Sequence, residues 1–186
     1  MATNAPWVLA VERAYVEAAT TAALPALAMD DAARRQRARA AAGAVASRFL
    51  AVGTPRSMGL VVDPAHVDEA ALSIEAHGCW FAPTDLRAAG AAVPGCRDTS
   101  LAEALACDIV CIHVPIALSP AQLRRGTHVN VLCPMELGGE LAQIAMIVRE
   151  TPDLAQMAAG FVDGRQLDEI TVFVLDGAVI PYAAVA

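Results

Sequence analysis

Beyond residue 53 the chain alternates between short, continuous apolar runs rich in β-branched residues and segments whose apolar positions recur every three or four residues. The first pattern predicts strands buried on both faces, the second helices packed on one side. Strands are expected over 57–62 (SMGLVV), 79–82, 108–114 (DIVCIHV), 127–132 (THVNVL) and 170–175 (ITVFVL). Helices are expected over 63–77, 86–92, 100–105 and 120–124, while 140–150 is open to either state. This alternation specifies a parallel sheet, because a parallel crossover takes about a dozen residues and is usually helical.

Before Gly53-Thr54-Pro55 the pattern is helical only. Residues 7–23 read as an amphipathic helix ended by Pro25, and Asp30 or Asp31 can cap a second one running through Arg34, Arg35, Arg37 and Arg39 into AAAGAVASRFLAV. The expected fold is therefore α/β: a Rossmann-like parallel sheet with helices on both faces over 53–186, preceded by an N-terminal helical segment over 1–52.

Composition narrows the chemistry. The 186 residues are 56% hydrophobic but only 4% aromatic, so alanine and small aliphatics supply most of the apolar surface and suit one closely packed domain. Thirteen basic against 20 acidic residues give a net charge of -7, which offers no field for nucleic acid. Every basic residue is arginine, which excludes Schiff-base lysine chemistry and a phosphate-loop lysine. No apolar run reaches the ~18–20 residues of a bilayer span, so a cytoplasmic protein with no membrane partner is expected. Five cysteines without paired spacing fit reduced thiols better than disulfides or a metal centre.

In an open sheet of this kind ligands lie at the carboxyl ends of the strands. Those ends carry Asp63 and His66, then His113, then Cys133 and Glu136. His113, Cys133 and Glu136 are the candidate catalytic groups, able to form an acid/base or His/Cys arrangement; Asp63 and His66 are candidate ligand-binding groups. Asp85 joins them, a little past the end of the expected second strand, where a carboxylate could hold a ribose. Each has a structural alternative: Asp63 before Pro64 and Asp85 are good helix caps, His113 a core histidine, and Cys133 a small core hydrophobe.

Four segments, RARAAAGAVASRFLAVGTPRSMGLV, ACDIVCIHVP, RRGTHVNVL and DEITVFVLDGAVIPYAAVA, together resemble the ornithine cyclodeaminase / mu-crystallin family of NAD(P)-dependent proteins in order and spacing. The resemblance implies a dinucleotide-binding domain, with a substrate and dimer domain between the first helix and the helix that leads into it. Here only about 20–38 separates them, so a truncated member is expected, dimerising through its N-terminal helices.

Two further departures from that pattern bear on activity. Val62 and Pro64 stand where the resemblance implies a Gly-x-Gly turn, with Asp63 between them, and Met135 stands where it implies a catalytic aspartate. The expectation is a pseudoenzyme or repurposed non-redox protein that binds a small molecule in amino-acid-derived metabolism, with no cofactor. The alternatives are an NAD(P)-dependent reductase or cyclodeaminase completed by a dimer mate or partner chain, holding NAD or NADP, and a structural dimerisation module.

Overall fold

The computed structural model describes residues 31–149 and 168–175. The expected helix over 7–23 and the segment after 175 lie outside them. The first described element is α1 (Asp31–Leu50), an alanine-rich helix that buries Ala40, Ala42 and the run from Ala44 to Ser47. Strand β1 (Ser57–Val61) follows, then a 3-10 turn (Pro64–His66) leading into α2 (Val67–Gly78). Next come β2 (Asp85–Ala89), β3 (Arg97–Asp98), α3 (Leu101–Leu105) and β4 (Ile109–Ile112). After a second 3-10 turn (Pro120–Gln122), β5 (His128–Val131), α4 (Gly139–Ile144), β6 (Met146–Arg149) and β7 (Thr171–Val174) complete the described chain.

The seven strands form one sheet in the order β3-β2-β1-β4-β5-β7-β6, and every pair is parallel. The order reverses between β1 and β4, the Rossmann arrangement expected from the alternating pattern. Strand alternation divides the apolar residues between two faces. Met58, Leu60, Ile109, Cys111 and Leu132 gather on one face with Ala70 of α2, while Ala42, Ala46 and Leu50 of α1 pack on Phe173 beside them. Val61, Val110, Ile112, Val129, Val131 and Val172 form the core of the other face with Leu105 and Leu141.

One expectation fails locally. Residues 79–82 form the exit turn of α2, in which Trp80 and Phe81 both donate backbone N–H groups to His77 O, and the second strand is 85–89, where a helix was expected. Leu, Arg and Ala are good helix formers, so local preference misleads here. Pairing with β1 overrides it, and Ala88 and Ala89 are buried against their neighbours. Gly90 then ends the strand at φ +101, and a Cβ there would lie 2.2 Å from Val62 O. Over 140–150, open to either state, helix α4 comes first and edge strand β6 follows.

The helix-covered face also contains polar groups. His128 and Asn130 lie on the side of β5 opposite Val129 and Val131, and all four are fully buried. Asn130 Nδ2 donates to Ser47 Oγ (2.8 Å), and Ser47 Oγ meets His77 Nε2 (2.9 Å), whose Nδ1 donates to Ser73 O (2.7 Å). On the other side Asn130 Oδ1 lies 3.0 Å from His128 Nε2, and His128 Nδ1 lies 2.8 Å from Thr171 Oγ1. The bonds run in one direction from His128 to Ser73. His128 Nε2 donates to Asn130 Oδ1, Asn130 to Ser47, Ser47 to His77 and His77 to Ser73, while the Thr171 hydroxyl donates to Leu50 O (3.3 Å).

Candidate functional site

The strand order reverses between β1 and β4, the point at which an open sheet places a ligand crevice at its carboxyl ends, and two backbone bonds continue the pairing past the strands. Val62 N–H donates to Ala89 O (3.0 Å), and His113 N–H donates to Val61 O (2.9 Å). The chain leaving β1 turns at Asp63. Its carboxylate accepts from Ala65 N–H (2.9 Å) and meets His66 Nδ1 (2.6 Å), while Pro64 occupies the first position of the 3-10 turn. The N-cap arrangement expected from Asp63-Pro64 is present. The hydrogen bond from His66 holds the Asp63 carboxyl below its usual range.

His113 lies just beyond β4, 3% exposed, and among the described residues neither of its ring nitrogens has a hydrogen-bond partner. Its Nδ1 is 4.0 Å from Glu69 Oε2, in the first turn of α2, and the other Glu69 oxygen accepts from Gln36 Nε2 of α1 (3.2 Å). The His113 imidazole, helped by Gln36, holds the Glu69 carboxyl below the ordinary carboxylate range against the opposing effect of burial. Glu69 and Gln36 were not anticipated. A carboxylate in the first turn of a helix is common for dipole reasons alone, so its position carried no signal.

The remaining candidates are dispersed. Cys133 is buried at the end of β5, and burial pushes its thiol up to about 11, so it is a protonated thiol at neutral pH. Arg39 and Glu69 act on it electrostatically in opposite directions. Glu136 is exposed, while Met135 before it is buried in the core; no ion pair or hydrogen bond joins Glu136 to His113. Asp85 opens β2 rather than following the second strand, so it sits at the amino end of the sheet, away from the crevice. There it accepts from Arg87 Nε (3.0 Å). Among the described residues no group of three or more His, Cys, Asp or Glu side chains could hold a metal ion, and no helix is long and apolar enough to cross a membrane.

The fold is similar to that of several solved enzymes. An archaeal alanine dehydrogenase dimer with bound NAD superposes with a TM-score of 0.61 at 20% identity, over 79% of this chain and 60% of the dehydrogenase. The Δ(1)-pyrroline-2-carboxylate reductase of Thermococcus litoralis, in complex with NADH and L-proline, gives 0.58 at 18% identity, over 75% of this chain and 58% of the reductase. A lysine cyclodeaminase, solved for its recognition of L-lysine, L-ornithine and L-2,4-diaminobutyric acid, gives 0.56 at 19% identity, over 76% and 54%. Neither a family model nor a curated protein sequence matches the chain. It spans no more than 60% of the length of any of these three enzymes.

These likenesses correct the expectation that no cofactor is involved: two of the three structures hold a nicotinamide dinucleotide in the fold this chain adopts. The reversal of strand order between β1 and β4 suits such a ligand. The bend itself does not fit the diphosphate in the usual manner. Asp63 engages the Ala65 N–H that a phosphate oxygen would use, Pro64 has none to give, and Gly90 brings no carboxylate for a ribose.

Proposed function

We propose that this chain is the nucleotide-binding domain of an NAD(H)-dependent enzyme of amino-acid metabolism, of the dehydrogenase, reductase or cyclodeaminase type, related to the ornithine cyclodeaminase / mu-crystallin family. The observation that carries the reading is the parallel sheet, reversed between β1 and β4, shared with enzymes that hold NAD or NADH at this fold. The substrate site is completed, in this reading, by a dimer mate or a partner chain. In this reading the chain's own residues hold the ligand at the crevice: Asp63 and His66 shape the bend, and Glu69 and His113 face its inner end.

The test is calorimetric titration of the purified protein with NAD⁺ and NADH, followed by assay with L-alanine, L-proline and L-lysine. Saturable dinucleotide binding supports the reading. Absence of binding by either form overturns it.

A further inference from the structure

Three histidines are buried in the described fold, and two of them are fully engaged. His77 and His128 have hydrogen-bond partners at both ring nitrogens. His113 is the exception, with both nitrogens buried and without a hydrogen-bond partner, and it lies just past the carboxyl end of β4. A buried polar atom without a partner is costly, and folded proteins generally leave one so only where something else supplies the bond.

The surroundings determine which bond is missing. Glu69 Oε2 faces Nδ1 at 4.0 Å, too long for a hydrogen bond but close enough to favour the tautomer with its proton on Nδ1. That leaves the Nε2 lone pair as an acceptor, which takes an N–H or O–H donor. The charges nearby select among donors. Asp68 and Glu69 lie in the first turn of α2 and Asp63 caps the 3-10 turn before it, His66 is already paired with Asp63, and Arg37 is paired with Glu75. Arg39 and Glu69 both act on Cys133, with opposite effects. The Glu69 carboxylate beside the ring favours an amine.

We propose that His113 contacts the bound ligand by accepting a hydrogen bond from an amine or hydroxyl group, and that Glu69, itself held by Gln36, is a positioning residue acting through His113. The inference rests on the reading of the crevice as a ligand site and assigns the group that recognises the polar end of that ligand.

The test follows the ring nitrogens of His113 by NMR in protein labelled at histidine. Ethanolamine is the probe, inorganic phosphate the control, and NADH is titrated separately. Ethanolamine is expected to move the Nε2 signal of His113 saturably while the His77 and His128 signals stay fixed, and phosphate is expected to leave it unmoved. Glu69→Gln, which keeps the size of the side chain and its contact with Gln36, is expected to weaken the ethanolamine response about fivefold and to mix the two tautomers of His113.

A His113 signal indifferent to ethanolamine, one moved by phosphate instead, or a Glu69→Gln protein with unchanged tautomer and affinity overturns the proposal. The two readings separate cleanly. Ethanolamine binding without NADH binding sinks the dinucleotide reading alone, and NADH binding with an unresponsive His113 sinks this inference alone.

Discussion

Asn130 Nδ2, on β5, donates to Ser47 Oγ, on α1, over 2.8 Å between residues 83 positions apart in the chain. This contact joins two halves of a buried polar series, and each half depends on it for its direction. Asn130 offers an acceptor to His128 and a donor to Ser47 at once, a combination that no apolar side chain of similar size supplies. Asn130→Leu is expected to lower the stability to unfolding by about 2–4 kcal/mol, because it leaves both Ser47 and His128 short of a partner in the interior. Urea denaturation followed by circular dichroism measures the change. A loss below ~1 kcal/mol would mean that the series contributes little.

His77 sets a pH dependence. Burial lowers its folded pKa from 6.5 to about 4, overriding the hydrogen bond to Ser73 O that favours the charged form. Below pH 6.5 the unfolded chain binds a proton here that the folded chain refuses until about pH 4, so stability falls as pH falls through this window. The accumulated loss is on the order of 3 kcal/mol at the lower limit. Unfolding free energies measured from pH 7 to pH 4 in wild type and His77→Gln check it: the wild type declines more steeply across that range, and parallel curves would refute the assignment.

The architecture was legible because buried parallel strands are continuous apolar runs, and 57–62, 108–114, 127–132 and 170–175 all contain the observed strands β1, β4, β5 and β7. The second strand was not, because DLRAA reads as helix to any local measure and becomes a strand only by pairing with β1. The candidate site divides in the same way. The Asp63-Pro64 turn is a contact between near neighbours in sequence, and residue types alone announce it. Glu69 meets His113 from 44 positions away, and Gln36 meets Glu69 from 33, so these contacts exist only after α1 and α2 are laid on the sheet.

Two glycines mark where backbones approach closely. A Cβ at Gly59 would lie 2.0 Å from Ala104 O, and Gly90 combines a left-handed φ of +101 with a 2.2 Å overlap on Val62 O. Both opposing atoms belong to backbone and cannot rotate away. Gly59→Ala and Gly90→Ala are each expected to cost at least about 3 kcal/mol, seen as loss of soluble protein or a large fall in thermal midpoint. Gly53→Ala, at a φ of +63 with no atom within 4 Å of its Cβ, separates the conformational effect from the steric one. It is expected to cost only about 1 kcal/mol.

Asp108 ties the entry of the sheet together. Its Oδ2 accepts from the N–H groups of Arg56 and Ser57, both at 2.9 Å, and from Ser57 Oγ at 2.8 Å, while Oδ1 accepts from Arg124 Nη2 at 2.7 Å. Burial would raise its carboxyl, but these donors together hold it below the usual range. Asp108→Ala is expected to cost about 2–3 kcal/mol by leaving backbone donors unpaired. Asp108→Asn, which retains one acceptor oxygen, should recover part of that loss. Equal midpoints for the two variants in urea would show that the acceptor is unimportant.

The bend after β1 offers the sharpest control on nucleotide affinity. Asp63 places a negative charge where a diphosphate would approach, and its carboxylate already holds the Ala65 N–H; Pro64 removes the neighbouring donor. Replacing both, Asp63→Gly with Pro64→Gly, frees one N–H, restores another and deletes the repulsion. Removing a like charge and gaining a hydrogen bond to a charged group both act in favour of a diphosphate. The double variant is therefore expected to bind NADH at least about tenfold more tightly than wild type, with the gain diminishing as salt rises. Titration by NADH fluorescence at two ionic strengths reads both effects. Unchanged affinity would mean that the dinucleotide avoids this bend and lies elsewhere along the crevice.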